Sequence, residues 1–448
     1  MKLDGIRIKF VLFALGCFAI LGVLWENKIS NGLYQLTPMK GIERNTIISD
    51  ENLNSLQLER KPEMKDVDCL GIINGDKKAL DKAKTTLNKI KSSNTQKERL
   101  ILPDKDIVNW TANCNTFVLS RKYITSSLSQ EEAEYPIAYI ISIYTDLQSF
   151  EHLLQAIYRP QNIYCIHVDQ KSLAKFQTGV MKIIRCFENV FLASKMVKVW
   201  YTHWTIVQSS LNCMEDLVDR KLNHPWKYVI NTCGQDYPTK TNLEIVHALK
   251  NLNGSNSVES VTLEQGKGKS KRFEYSYIHP KQFEHTHDNA ISTRIKKQPP
   301  PDDIEIFTGS NYYIYKREAV EFIVHDKNIR QFFEWSKDTK IPDEQVWATL
   351  QRMYPIFPGS SPKELGKKRI NGIARTVLWR GPNNSHTCRG QYIRSVCVFG
   401  FADLKWVVSR PNLFANKFRP NVDIFAMNCL AEWLRNRTIN TTINERSV

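Results

Sequence analysis

Asp343 and Glu344 stand side by side, directly after Pro342 and ahead of the run QVWATL. Proline suits the first turn of a helix, and acids beside it complement the positive end of the helix dipole. The chemical reading is a general base, a carboxylate kept ionised at a helix start and offered at a sheet edge. Asp169 closes the apolar run CIHV at 165–168, where a parallel strand delivers its ligand. A carboxylate there can accept hydrogen bonds from a ribose or uracil, and the alternative is a helix N-cap.

Sugar transfer from a nucleotide donor often uses a DxD pair to hold a divalent metal against the pyrophosphate. Two formal matches occur, Asp66-Val67-Asp68 and Asp104-Lys105-Asp106, and neither ends a buried strand, so both read as surface acids. Without metal, cations must neutralise a pyrophosphate leaving group. Arg394 in QYIRSVCVFG and Lys417 in LFANKF are placed for that, or are ordinary surface cations. No G-x-G-x-x-G and no G-x-x-x-x-G-K-S/T motif occurs.

Alternating elements must position these residues. Ala138–Tyr144, Ile163–Val168, Val190–Ala193 and Tyr228–Asn231 read as buried strands. Helical spacing follows them in FEHLLQAIY, through Met181–Cys186, in Trp204–Leu222 and in Leu243–Leu252. Repeated βαβ units imply an α/β fold, a mainly parallel sheet with helices on both faces. After residue 300, Ile304–Phe307 and Tyr312–Tyr315 read as further strands among short helices. The basic stretch 77–100 has helical spacing at Leu80, Ala83, Leu87 and Ile90 and no aromatic residue for base stacking, so it reads as a solvated helix face.

The 448 residues carry 42% apolar and 24% charged residues, ordinary globular values, and a formal net charge of +16. Such a charge suits nucleic acid, anionic lipid or a phosphate-bearing substrate without choosing among them. A mean hydropathy of −0.39 excludes a polytopic membrane protein. It leaves room for one anchor: residues 10–25, FVLFALGCFAILGVLW, carry no charge and follow Lys2, Arg7 and Lys9. No small-x-small cleavage site follows, so a retained signal anchor is expected, with residues 1–9 cytosolic and the bulk lumenal. Residues 26–68, polar with scattered apolar positions, read as a stem, largely extended or disordered. Residues 69–448 then form the lumenal catalytic domain.

One of ten cysteines, Cys17, lies in the anchor. In an oxidising lumen the other nine suggest four bridges and one free thiol. N-x-S/T triplets at Asn109, Asn253, Asn383, Asn436 and Asn440 agree with a lumenal glycoprotein.

The segments AYIISIYTDLQSFEHLLQAIYRPQNIYCIHVDQKS, YVINTCGQDYPTKTNLEI, FTGSNYYI, WSKDTKIPDEQVWATLQR, IRSVCVFGFADLKW and LFANKF occur in this order. Together, over roughly residues 110–435, they resemble the β-1,6-N-acetylglucosaminyltransferase family that makes core 2 and I-antigen branches. ALGC in the anchor and LGIINGDKKAL after Cys69 look most like its mucin-type core 2 branch. The resemblance implies a glycosyltransferase A-type fold in a metal-independent variant, with UDP-GlcNAc as donor substrate and no cofactor. By motif it makes Glu344 the catalytic base. Arg394 and Lys417 would bind the UDP diphosphate, and Asp169, Tyr201 and Ser142-Ile143-Tyr144 would line the nucleotide pocket. Glu259, Lys267, Arg272 and Trp379 fall on the acceptor side. The implied bridges are Cys69–Cys429, Cys114–Cys186, Cys165–Cys213 and Cys388–Cys397, leaving Cys233 free.

The chain departs from the family where Tyr144 replaces a usual histidine. An expected arginine near 270 is displaced, with Lys269, Lys271 and Arg272 as substitutes, and RGPNNS after Trp379 lacks the usual aromatic–acidic stretch. The expected reaction is inverting transfer of GlcNAc to C6 of a GalNAc or Gal residue in O-glycans, by a single-pass Golgi enzyme with no nucleic-acid partner. Core 2 branching is the first expectation, with core 4 or I branching beside it. The alternatives are an inactive lectin-like or scaffold relative and a protein O-xylosyltransferase relative.

Overall fold

The structure, a computed structural model, describes residues 47–92, 104–219, 223–266, 268–278, 290–362, 366, 368–382 and 386–446. The anchor, the first part of the stem, Lys267 and Asn383 lie outside them. Among the described residues no helix is long and apolar enough to cross a membrane.

Strands β1 (Ile137–Ile143), β2 (Ile163–Val168), β3 (Val190–Leu192) and β4 (Tyr228–Cys233) are almost wholly apolar because both sheet faces are covered. After them come β5 (Asp236–Pro238), β6 (Ser257–Val258), β7 (Tyr275–Ile278), β8 (Ile291–Lys296) and β9 (Tyr313–Lys316). The last four strands are β10 (Arg375–Val377), β11 (Gln391–Ile393), β12 (Val396–Val398) and β13 (Phe414–Asn416).

The main sheet runs β3-β2-β1-β4-β9-β6. β1 to β4 are parallel, and β9 runs antiparallel to β4 and to β6. The chain winds outward from β1 through β2 to β3, then returns to β4 on the other side of β1. That reversal is a switch point at the carboxyl ends of β1 and β4, the place where α/β sheets bind ligands. The register sets Ser142 level with His167 on one side and Cys233 on the other.

Helices Leu147–Ile157, Ala174–Ile184, Thr205–Val218 and Asn242–Lys250 cover the sheet. Asp146 caps the first through the Ser149 amide, and Thr241 with Glu244 forms a full capping box on the last. A second sheet, β10-β13-β5, sets Asn416 opposite Asp236 just beyond the end of β4. The helix Lys77–Ser92 buries Ala79, Ala83, Leu87 and Ile90 against a core shared with Ile424, Phe425 and Leu430, while its lysines face water.

Two expectations are corrected. Ile304–Phe307 is not a strand: the Phe307 amide bonds the Thr349 hydroxyl, and only Thr308 pairs, in an isolated bridge with Val261. Residues 47–68 are not extended throughout, because Leu53 and Leu56 pack with Ile124, Leu128 and Ile439, while Met64 and Val67 join the Ile72 core. Scattered apolar residues suffice here because each meets a partner distant in sequence.

The disulfides are Cys69–Cys429, Cys114–Cys186, Cys165–Cys213 and Cys388–Cys397, the pairs the resemblance implies, and Cys233 is a free thiol. Asn109, Asn253 and Asn440 are exposed. The Asn436 amide oxygen instead accepts from Gln57 Nε2 at 2.6 Å.

Candidate active site

Asp169 follows β2 directly. Its Oδ1 accepts from the Lys171 amide at 2.9 Å and the Val199 amide at 3.3 Å, and its Oδ2 pairs with Lys171 Nζ at 2.7 Å. It caps no helix, since the next one begins at Ala174 after Leu173. The Lys171 ammonium also lies 5.4 Å from the Tyr144 ring centre and 4.6 Å from that of Trp200. Tyr144 is 50% and Tyr201 61% exposed, large aromatic side chains left open to solvent near the strand ends. Ser142 is half-buried and Ile143 buried between them and the core. His167 accepts from the Val197 amide at 3.1 Å, fixing the segment that carries Tyr201. Burial lowers His167 to about 4, against the pull of Asp169, so the ring stays neutral and able to accept.

Glu344 closes the 3₁₀ turn Pro342–Glu344, which enters the helix Val346–Leu350. Its Oε2 pairs with Arg272 Nη1 at 2.6 Å and Lys269 Nζ at 3.3 Å. Among the described residues Oε1 has no hydrogen-bond partner, leaving one oxygen able to take a proton. The Ile341 amide donates to the Thr202 carbonyl at 3.0 Å, so the turn carrying Glu344 abuts the turn carrying Tyr201. Asp343 is 6% exposed, and its Oδ1 has no hydrogen-bond partner among the described residues. Burial, then the neighbouring Glu344 charge, pushes it up to about 7.

Glu259 reaches the same region by a close approach. The Gly309 amide donates to the Glu344 carbonyl at 2.8 Å, and a Cβ at Gly309 would collide with the Glu259 carbonyl. The Glu259 carboxylate is held by Arg369. Trp379 is 54% exposed and bridges Val396 in β12.

Arg394 and Ser395 form the two-residue turn between β11 and β12, with φ of 49° and 64°. Both lie in the left-handed region that such turns normally give to Asn and Gly. Strain of this kind persists where the surroundings enforce it, often at functional sites. β12 lies along the chain leaving β13: the Lys417 amide donates to the Cys397 carbonyl, and the Phe399 amide to the Lys417 carbonyl. Burial, then Arg419, then the thiol of Cys233 in the opposite sense, and finally Arg394 act on the Lys417 ammonium, with a net lowering. The Cys233 thiol accepts from Asn416 Nδ2 at 3.5 Å, and burial followed by Asp236 pushes it up to about 12. Beneath it Asp236 and Arg375 form a fully buried pair at 3.0 Å.

The residues expected on the donor side, 142–144, 169, 201, 394 and 417, thus lie toward the ends of β1, β2 and β4, and the turn of Glu344 abuts that of Tyr201. Arg272 is placed on Glu344 itself, and Glu259 is engaged by Arg369. The spacing Asp169–Lys171 was a signal for the Lys171 contact, and nothing local marked Arg369. Asp66 and Asp68 are exposed, with Asp68 capping the helix Cys69–Asn74 through the Gly71 amide, and Asp104 and Asp106 begin the helix Asp104–Trp110. Among the described residues one grouping brings three residues of metal-ligating type together, Cys388, Cys397 and Asp403. Its cysteines are bonded to each other, and Asp403 accepts from the Arg389, Gly390 and Gly400 amides.

The family model "Branch: Core-2/I-Branching enzyme" matches residues 137–408. The chain belongs to the core-2/I-branching enzyme family. The matched span of this family member runs from β1 past the Arg394 turn. Among curated relatives, the Bos taurus protein named beta-1,3-galactosyl-O-glycosyl-glycoprotein beta-1,6-N-acetylglucosaminyltransferase 3 is 39% identical over 456 residues, covering 99% of this chain and 100% of its own. The Homo sapiens protein of the same name is 40% identical over 441 residues, covering 96% and 97%. A Bovine herpesvirus 4 protein, beta-1,3-galactosyl-O-glycosyl-glycoprotein beta-1,6-N-acetylglucosaminyltransferase, is 38% identical over 459 residues, covering 99% and 100%.

Proposed function

We propose that this enzyme, a β-1,6-N-acetylglucosaminyltransferase, moves GlcNAc from UDP-GlcNAc to the C6 hydroxyl of GalNAc in O-glycans of glycoproteins. The core 1 disaccharide, as the relatives' names suggest, is the first acceptor, and the product is a core 2 branch. The observation that carries this reading is Glu344. One of its oxygens is anchored by Arg272 and Lys269, the other has no partner among the described residues, and its turn bonds to the turn that presents Tyr201.

In the proposed step the acceptor O6 attacks C1 of the sugar while Glu344 Oε1 takes the hydroxyl proton. The C1–O bond to the diphosphate breaks, its electron pair leaves with UDP, and the configuration inverts from α to β. Arg394 and Lys417 neutralise the departing diphosphate, with no metal ion called upon. The uracil and ribose rest among Tyr144, Asp169 and Tyr201, and Lys171 must give up its contacts with Asp169 or share them. Glu259, Arg272 and Trp379 are assigned to the acceptor side, Arg272 through its ion pair with Glu344. We infer a Golgi type II membrane setting from the charge-free run at 10–25 and four disulfides, which belong to an oxidising compartment.

The test is a transfer assay with UDP-GlcNAc against core 1, core 3 and poly-N-acetyllactosamine acceptors, with linkage analysis. A β-1,6 branch on core 1 is expected. Absence of transfer to all three acceptors, or a linkage other than β-1,6, would overturn the proposal.

A further inference from the structure

Lys417 and Arg419 follow β13 on either side of the buried Phe418, both half-buried and close enough for the Arg419 charge to act on the Lys417 ammonium. Phe418 is 1% exposed and packs on Tyr237 and Phe399, which anchors the segment between the two cations. The Phe418 amide donates to the Gln235 carbonyl at 2.9 Å, and Gln235 lies just past the carboxyl end of β4. With its amide turned to satisfy both groups, the Gln235 side-chain oxygen accepts from Arg419 Nε at 2.7 Å and Nη2 at 3.0 Å. The guanidinium is therefore oriented by a neutral side chain, and no carboxylate pairs with it among the described residues. Nor does any hydrogen bond or ion pair engage the Lys417 ammonium there. The charge of Arg419 acts on Lys417 more strongly than that of Arg394 does.

Resting on the donor-site reading above, we propose that Arg419 is a third cation of the diphosphate cradle, binding the UDP phosphates together with Lys417 and Arg394. Three like charges at the end of β4 repel one another in the free protein. A diphosphate relieves that repulsion, and a guanidinium can engage its oxygens through paired N–H groups. The charge on the leaving group grows as the C1–O bond breaks. A cation already oriented by Gln235 then stabilises product UDP more than the intact donor.

The test is calorimetric binding of UDP and of uridine to the full chain and its Arg419→Ala, Arg419→Gln and Arg419→Lys variants, at two salt concentrations. Wild type should bind UDP far more tightly than uridine. Arg419→Ala and Arg419→Gln should weaken UDP about 10- to 100-fold, leave uridine unchanged and flatten the salt dependence, with Arg419→Lys recovering part of the loss. Wild-type discrimination retained in Arg419→Ala would overturn the role of Arg419 and leave the donor site standing. Equal loss of uridine and UDP would also overturn it, marking Arg419 as structural. A wild-type protein that binds UDP no better than uridine would instead sink the donor-site reading itself.

Discussion

Replacing Asp343 with Asn should make the protein's stability respond differently to pH. The side chain is 6% exposed with an unpartnered Oδ1, and burial reinforced by Glu344 raises its carboxyl to about 7. In the unfolded chain an Asp titrates near ~3.9. The folded state therefore holds this proton over a pH range in which the unfolded state has lost it. The stabilisation is fully present below the unfolded value and fades as pH rises through about 7. At about 1.36 kcal/mol per unit, the change between pH 5 and pH 8 is roughly 2–3 kcal/mol. For about 400 ordered residues this is a shift of about 3 °C in Tm. Asn keeps the shape and cannot ionise. The difference in Tm, variant minus wild type, should therefore climb by about 3 °C from pH 5 to pH 8 in thermal scans. Adding Glu344→Gln to both proteins should shrink that climb, because the neighbouring charge is part of its cause. An offset that stays constant across the range would refute the placement of Asp343 as a buried acid titrating near neutrality.

If Arg394 and Lys417 carry the diphosphate charge as proposed, transfer activity should survive excess EDTA; loss on chelation with recovery on adding manganese would contradict that division of labour. The Cys233 thiol, held at about 12, should react slowly with maleimide in the native protein and fast once unfolded. Rapid native labelling, or a disulfide at Cys233 in a non-reduced peptide map, would be the opposite result. Arg375→Ala strands Asp236 without its buried partner and should cost about 3–5 kcal/mol in urea unfolding; a loss under about 1 kcal/mol would count against a structural role for the pair.

The parallel sheet was legible because β1, β2 and β4 are nearly unbroken apolar runs, a composition that only two-sided burial explains. Asp169, Arg394, Lys417 and Glu344 were visible as polar residues following such runs or opening a helix, with their roles supplied by family resemblance. What escaped depends on partners far along the chain. Phe307 looked like strand and is diverted by the Thr349 hydroxyl. Leu53 and Leu56 looked like isolated stem residues until Ile439 met them. Arg369 on Glu259 and Gln235 on Arg419 each join residues more than a hundred positions apart, where no local period records the contact. Arg272 was expected on the acceptor side, and nothing local announced that its guanidinium pairs with Glu344, in a segment held by the backbone bond from Lys340 to Arg272.

Glu344→Gln tests the account most directly, with turnover from UDP-GlcNAc to a core 1 acceptor and UDP affinity measured on the same folded protein. Gln preserves size and most hydrogen bonding but cannot take the acceptor's proton. Turnover should fall by about 10²–10⁴ while UDP affinity barely changes. A well-folded Glu344→Gln protein with wild-type turnover would reduce that carboxylate to an acid at a helix start, and the proposed base would be wrong.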